Sequence, residues 1–222
     1  MAYLPDYRER PKLESSLFSS DQGVMSEDVV KTILNSKVEL PANAKIALIK
    51  YEGNDHKIGA SKFYGYYYWR SEEYLKLQQQ FIDTVASKLI KLDNIVEVTP
   101  LPSLLLPQNT TIPILREAAV RMQADLLLIF RLTSDIYYDY VLFGKDKAKA
   151  YCTCEFVLFD VRTGIIPFTT IITKDILEKE KSDDANTDEL MKRAEKIASL
   201  NALSASTDEL IEFIKMLYST KE

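Results

Sequence analysis

Between Lys147 and Asp160 the chain reads KAKAYCTCEFVLFD, and its residues alternate in character. The even positions Ala148, Ala150, Cys152, Cys154, Phe156 and Leu158 are apolar. The odd positions Lys147, Lys149, Tyr151, Thr153 and Glu155 are polar or amphipathic, before Val157 and Phe159. Successive strand side chains point to opposite faces, so this period of two predicts a half-buried strand and not an amphipathic helix. Such a strand needs neighbours, and the flanking sequence supplies them. ADLLLIFRLTSDIYYDY, residues 124–140, begins as a continuous apolar run, as a buried central strand does. It then turns polar, as a strand does when it projects past the core. Arg162-Thr163-Gly164 is a short turn with a glycine available for positive φ. IIPFTTIITKD returns as the hairpin partner, and its Pro167 marks an edge or a bulge.

The rest of the chain alternates helix and strand. Ser26-Glu27-Asp28 caps a short helix with Val29, Val30, Ile33 and Leu34 as its stripe. KIALIKYEG, residues 45–53, is the first strand. Ser71-Glu72-Glu73 caps a long helix whose face is Leu75, Phe81, Ile82, Val85, Leu89 and Ile90. NIVEVTP is a second strand, ended by Pro100 and Pro102. A helix over residues 111–122 tolerates Pro113 in its first turn. After an acidic linker, EKEKSDDANTDE, two helices are expected at the C-terminus, the second opened by a capping box from Ser206 to Glu209. Strands joined by helices are parallel with right-handed crossovers. The expected fold is therefore α/β: one mixed sheet of three parallel strands plus an antiparallel meander, flanked by helices. Residues 1–25 read as an extended tether and 26–222 as a single α/β domain, with 175–222 as a C-terminal helical extension.

The two cysteines share the apolar face of the alternating strand. Residues i and i+2 of a strand lie about 6.6 Å apart with parallel Cβ vectors, whereas a disulfide needs Cβ atoms about 3.8 Å apart. Structural zinc normally takes four ligands, and this chain offers a CxC pair and one histidine. The pair reads as small hydrophobes of a sheet wall. No metal site and no cofactor site is expected.

A formal charge of −5 with no Lys/Arg cluster argues against nucleic acid as a partner and against acidic membrane surfaces. No apolar run approaches the ~20 residues that a spanning helix needs. His56, with Asp55, Glu52 and Lys57, lies in a polar loop. None of the G-x-S-x-G, P-loop or G-x-G-x-x-G motifs is present. No catalytic residue is assigned, and the chain is not expected to be an enzyme.

The aromatic stretch FYGYYYWR stands out instead. Tyr64, Tyr66, Tyr67, Tyr68, Trp69 and Arg70, with Phe63, are the residue types of interface hot spots. They are the expected partner-binding residues, against the alternative that half of them pack beneath their loop. Tyr137, Tyr138, Asp139 and Tyr140 at a strand end either extend that patch or pair across a hairpin.

Two stretches resemble a bacterial envelope family. It includes the curli-secretion lipoprotein CsgG, the amino-terminal domain of TolB, and the lipoprotein activators of penicillin-binding proteins. The first stretch is Ala124-Asp125 entering Leu126-Leu127-Leu128. The second is FVLFDVRTGII, in the pattern apolar-x-apolar-x-apolar-Asp-x-x-Thr-Gly. The likeness covers residues 45–175. Gln123 stands before Ala124, where the family often has Gly. No pair of long amphipathic hairpins of the kind a secretion pore uses is visible. The resemblance implies a non-catalytic binding or assembly role for an envelope protein or cell-wall component. It also implies a periplasmic location with membrane contact only through an N-terminal lipid anchor. Met1 then stands in place of a lipidated Cys ahead of the tether; the other reading is an ordinary start. The rival functions are a cytoplasmic α/β enzyme or nucleotide binder, using the strand ends at 51–53 and 100–103, and a structural oligomer built through the sheet edge near Pro167. Sequence alone leaves the oligomeric state and the partner's identity open.

Overall fold

The computed structural model describes residues 26–51, 72–107, 110–141, 144–182, 184 and 186–219. Its elements run in the order α1 (Glu27–Asn35), β1 (Ala44–Lys50), α2 (Glu72–Leu89), β2 (Ile95–Pro100), α3 (Ile112–Arg121), β3 (Leu126–Asp139), β4 (Lys147–Asp160), β5 (Phe168–Lys179) and α4 (Thr187–Ser219). The strands form one sheet in the order β2-β1-β3-β4-β5. β1 is parallel to both β2 and β3, while β3, β4 and β5 form an antiparallel meander. This is the mixed α/β sheet that the sequence pattern implies.

Two apolar clusters sandwich the sheet. On one face Ile46, Leu48, Leu126, Leu128, Phe130 and the even positions of β4 pack against α2 and α4. On the other, Ala47, Leu127, Ile129 and Phe159 pack against Leu115, Ala118 and Ala119 of α3. Phe81, Val85 and Leu89 bury the α2 stripe, whereas Leu75 and Ile90 of the predicted face are exposed. The α1 stretch forms a helix, with Val30 and Leu34 40% and 78% exposed.

The C-terminus differs from the expectation of two helices: α4 is one helix of 33 residues. The predicted break at Ser206 falls where the helix is most buried, with Ser206 and Thr207 both at 0% exposure. Neither Gly nor Pro interrupts the helix, and Thr207 Oγ1 donates to Leu203 O at 2.7 Å, the i−4 bond of a helix-interior threonine. The helical extension also starts later than residue 175, because β5 continues to Lys179 before α4 begins at Thr187.

The base of the meander is a tightly bonded hairpin. Asp160 is 3% exposed. Its carboxylate accepts from Arg162 N at 3.0 Å and from Thr163 Oγ1 at 2.6 Å. Gly164 closes the turn at φ 82°, donating to Asp160 O at 2.8 Å. Arg116 of α3 reaches over it, with Nε donating to Val161 O at 2.7 Å and Nη2 to Arg162 O at 2.6 Å. Asp125 ties this hairpin to β1, accepting from Lys45 N at 3.0 Å and from Arg162 Nη2 at 2.7 Å. The Asp-x-x-Thr-Gly and Ala-Asp stretches are thus two halves of one joint.

α3 reaches that joint through a left-handed residue. Gln123 has φ 57°, and the N–H groups of Gln123 and Ala124 donate to Val120 O at 2.9 Å and Ala119 O at 3.0 Å. That is a Schellman ending, whose left-handed position normally belongs to glycine. Gln123→Gly should therefore raise stability by about 0.5–1 kcal/mol, the Cβ strain removed exceeding the entropy Gly adds to the unfolded chain. A higher urea midpoint at unchanged m-value is the expected result.

Candidate functional site

The aromatic stretch Tyr64, Tyr66, Tyr67, Tyr68, Trp69 and Arg70, and the histidine group around His56, lie outside the described residues. Their point of departure is described. β1 ends at Lys50, and Tyr51 N donates to Phe130 O at 2.7 Å. β1 pairs with β3 only from Leu126 to Phe130, so among the described residues β3 beyond Arg131 has no neighbour on that side. β1 therefore ends, at Lys50 and Tyr51, level with the point where the meander starts to project.

Helix length determines what covers this projection. α4 has 33 residues and is about 50 Å long. β4 has 14 residues and is about 46 Å long. One helix therefore spans the whole even face of β4. α3, with 10 residues, is about 15 Å long. It covers Leu127, Ile129 and Phe159 at the base and reaches no further. Among the described residues no helix covers the odd face of β3, β4 and β5 beyond Arg131.

Strand register arranges that face in rows. Arg131, Glu155 and Ile171 lie across one row, Thr133, Thr153 and Thr173 across the next. Asp135, Tyr151 and Asp175 follow, then Tyr137, Lys149 and Leu177. Arg131 Nη2 donates to both carboxylate oxygens of Glu155 at 2.9 Å. The hydroxyls of Thr153 and Thr173 are 2.8 Å apart. Tyr137 meets Tyr151 edge-on with centroids 5.8 Å apart, so the predicted cross-strand aromatic pairing is present. Lys149 Nζ lies 4.8 Å from the Tyr151 ring centre and 3.3 Å from Asp175 Oδ2. The Tyr151 hydroxyl, and then Asp175, hold Lys149 above its ordinary pKa. The centre of the face is thus prearranged, while Ile171, Leu177 and Tyr137 at its margin are 72%, 54% and 47% exposed.

Tyr138 points to the opposite side, where its hydroxyl donates to Asp146. Asp146 also accepts from Val141 N at 3.0 Å, and its carboxyl lies below the ordinary range because Tyr138 donates to it. That contact closes the β3–β4 loop and leaves Tyr138 as a loop anchor. Tyr140 is 66% exposed beside it.

These groups offer hydrogen bonds, charge and aromatic faces. Among the described residues no group of three or more His, Cys, Asp or Glu is placed to hold a metal ion. Cys152 and Cys154 are free and buried beneath α4. Burial pushes their thiols up to about 11 and about 12. At mildly alkaline pH a thiol reagent should leave both untouched in the native protein and modify both in denaturant. The carboxyl end of β2 is filled as well, with Leu101 at 7% exposure packed into the α3 cluster.

Lys149, Tyr151, Asp175, Ile171 and Leu177 were not singled out from sequence. Their signal was the unequal length of the helices on the two faces. Period-two patterning shows that a strand has two faces and does not show where cover ends.

No protein-family model and no curated protein matches the chain. Solved structures do. A homolog of the neuraminyllactose-binding hemagglutinin from Helicobacter pylori is similar at 14% identity and TM-score 0.46, covering 84% of this chain and 94% of that one. A hypothetical protein from Chlamydia trachomatis is similar at 10% identity and TM-score 0.41, covering 78% and 95%. A minor lipoprotein from Acinetobacter baumannii is similar at 8% identity and TM-score 0.36, covering 77% and 94%. Likeness at these identities and TM-scores transfers neither a ligand nor a partner to this chain.

Proposed function

We propose that the chain is a non-catalytic binding or assembly module of a bacterial cell envelope, related to the family of CsgG, TolB and the penicillin-binding-protein activators. It is held at a periplasmic membrane surface by a lipid anchor on a Cys at the place of Met1, and its partner is an envelope protein or cell-wall component. The observation that carries the binding role is the open odd face of β3–β5, with Tyr137, Tyr151, Lys149 and Asp175 prearranged and apolar groups exposed around them. Aromatic side chains with adjacent charge are what interface anchors are made of. Tyr64, Tyr66, Tyr67, Tyr68, Trp69 and Arg70, in the stretch of sequence that follows Tyr51, are the further residues this reading assigns to the partner. The Asp-x-x-Thr-Gly joint and the Ala-Asp strand start support the family reading. The genomic codons before Ala2 test the anchor: a lipobox Cys at the place of Met1 supports it, and a plain start codon opposes it.

Binding is tested separately. Replacing Tyr67, Tyr68 and Trp69 together with Ala is expected to abolish capture of the partner from solubilised envelope fractions. The melting temperature should change by no more than a few degrees. A large stability loss would assign these residues to the core and overturn the interface reading.

A further inference from the structure

We propose that β5 is a self-complementary edge, through which two copies of this chain pair antiparallel about a two-fold axis at Lys174. The proposal does not depend on an envelope location. β5 is a 12-residue strand at one end of the sheet, and among the described residues its only strand neighbour is β4. Natural edges of this length are usually shortened, bulged or covered. Here the register with β4 is continuous from Phe168 to Lys179. One outer group is taken near its end, where Arg193 Nη2 donates to Lys179 O at 3.0 Å. The stretch from Thr170 to Glu178 remains for pairing.

The sequence of that stretch reads the same way in both directions when centred on Lys174. In an antiparallel two-fold pair, opposed residues lie on the same face. Thr173 then faces Asp175, Ile172 faces Ile176, Ile171 faces Leu177 and Thr170 faces Glu178. Every branched aliphatic residue in the stretch meets another across the seam. On the open face Ile171 and Leu177, 72% and 54% exposed in one copy, cover each other. Moving the axis to Thr173 sets Ile171 against Asp175 and Ile172 against Lys174. Moving it to Asp175 opposes the two Asp175 carboxylates and sets Ile176 against Lys174. An axis at Ile176 sets Leu177 against Asp175, and one at Ile172 sets Ile171 against Thr173 and Leu177 against Pro167. Only the Lys174 register matches the apolar residues on both faces. Pairing would add on the order of eight backbone hydrogen bonds. It would join two open faces into one surface running through both copies. The single conflict is Lys174 opposite itself, which weakens the pair and identifies the axis.

The test combines hydrodynamics with cross-linking. Sedimentation across roughly micromolar to millimolar concentration should show a monomer–dimer equilibrium. Lys174→Thr should tighten it a few-fold. Ile171→Lys with Leu177→Lys should leave a monomer with an unchanged circular dichroism spectrum, because both side chains are exposed. Under mild oxidation Lys174→Cys should form a disulfide dimer. Thr173→Cys and Asp175→Cys should not link to themselves and should link to each other when mixed. A monomer at every concentration overturns the proposal. So does a dimer that survives the double lysine variant, or one that cross-links fastest at 173 or 175 alone.

Discussion

Asp160→Ala is expected to lower the unfolding free energy by about 3 kcal/mol and the melting temperature by roughly 6–12 °C. The reason is the number of groups that depend on one buried carboxylate. It accepts from Arg162 N and Thr163 Oγ1 and is 3% exposed, so its removal leaves two donors without their acceptor. Hydrogen bonds to a charged acceptor contribute about 1.5–3 kcal/mol each, and water offsets part of that because the two donors sit on exposed residues. Asp160→Asn keeps the volume and one acceptor oxygen, so about half the loss is expected. The effect should spread beyond the turn. Arg116 holds Val161 O and Arg162 O, and Arg162 holds Asp125. A turn that loses its shape therefore loosens α3 and the start of β1 as well. Amide exchange at Lys45 and Ala124 should rise together with exchange at Gly164. A loss under 1 kcal/mol, or exchange confined to the turn, would mean that the joint is local.

The meander was legible because its signals are local and agree. Period-two alternation in β4, the apolar run of β3 and the Thr-Gly turn all specify the same hairpins, and β4 occupies the predicted span. The parallel half was legible through connectivity, since a helix between two strands permits little else. The capping box at Ser206 misled for a physical reason. Its serine is buried against β4 rather than capping a helix start, and the Glu209 carboxylate is taken by Thr170 Oγ1 of β5. Packing buried the serine and β5 took the glutamate that an isolated helix would have used on itself. The stripe of α1 was legible as a helix, and Val30 and Leu34 in it stay exposed, because amphipathicity indicates that a face wants cover and not that the fold supplies it. The open face of β3–β5 depends on α3 being about 15 Å long while α4 is about 50 Å. That contrast is written in residues 111–122 and 187–219, far from the strands it exposes.

The second large effect concerns the seam under the cysteines. Ala194, Ala198 and Ala202 of α4 and Ala148, Ala150, Cys152 and Cys154 of β4 are all at 0% exposure. Small residues meet small residues, so helix and sheet approach closely, and Ser199 and Ser206 lie beside the two thiols. Ala202 lies between those serines in the helix. Ala202→Leu has no space to enter and must lift the helix or force an off-rotamer side chain, for an expected loss of about 3 kcal/mol. Ala202→Gly should cost about 1 kcal/mol, the helix-propensity difference alone. The comparison separates overpacking from backbone effects. Cys154→Ala in the Ala202→Leu background should recover part of the loss by making room, while Cys154→Ala alone should destabilise. The coupling between the two positions is therefore expected to be favourable, and a double-mutant cycle in urea reads it directly. Strict additivity would place Ala202 away from the cysteine wall. Coupling would confirm that the CxC pair serves the fold by being small, letting a 33-residue helix lie flat along the meander and hold its opposite face out to solvent.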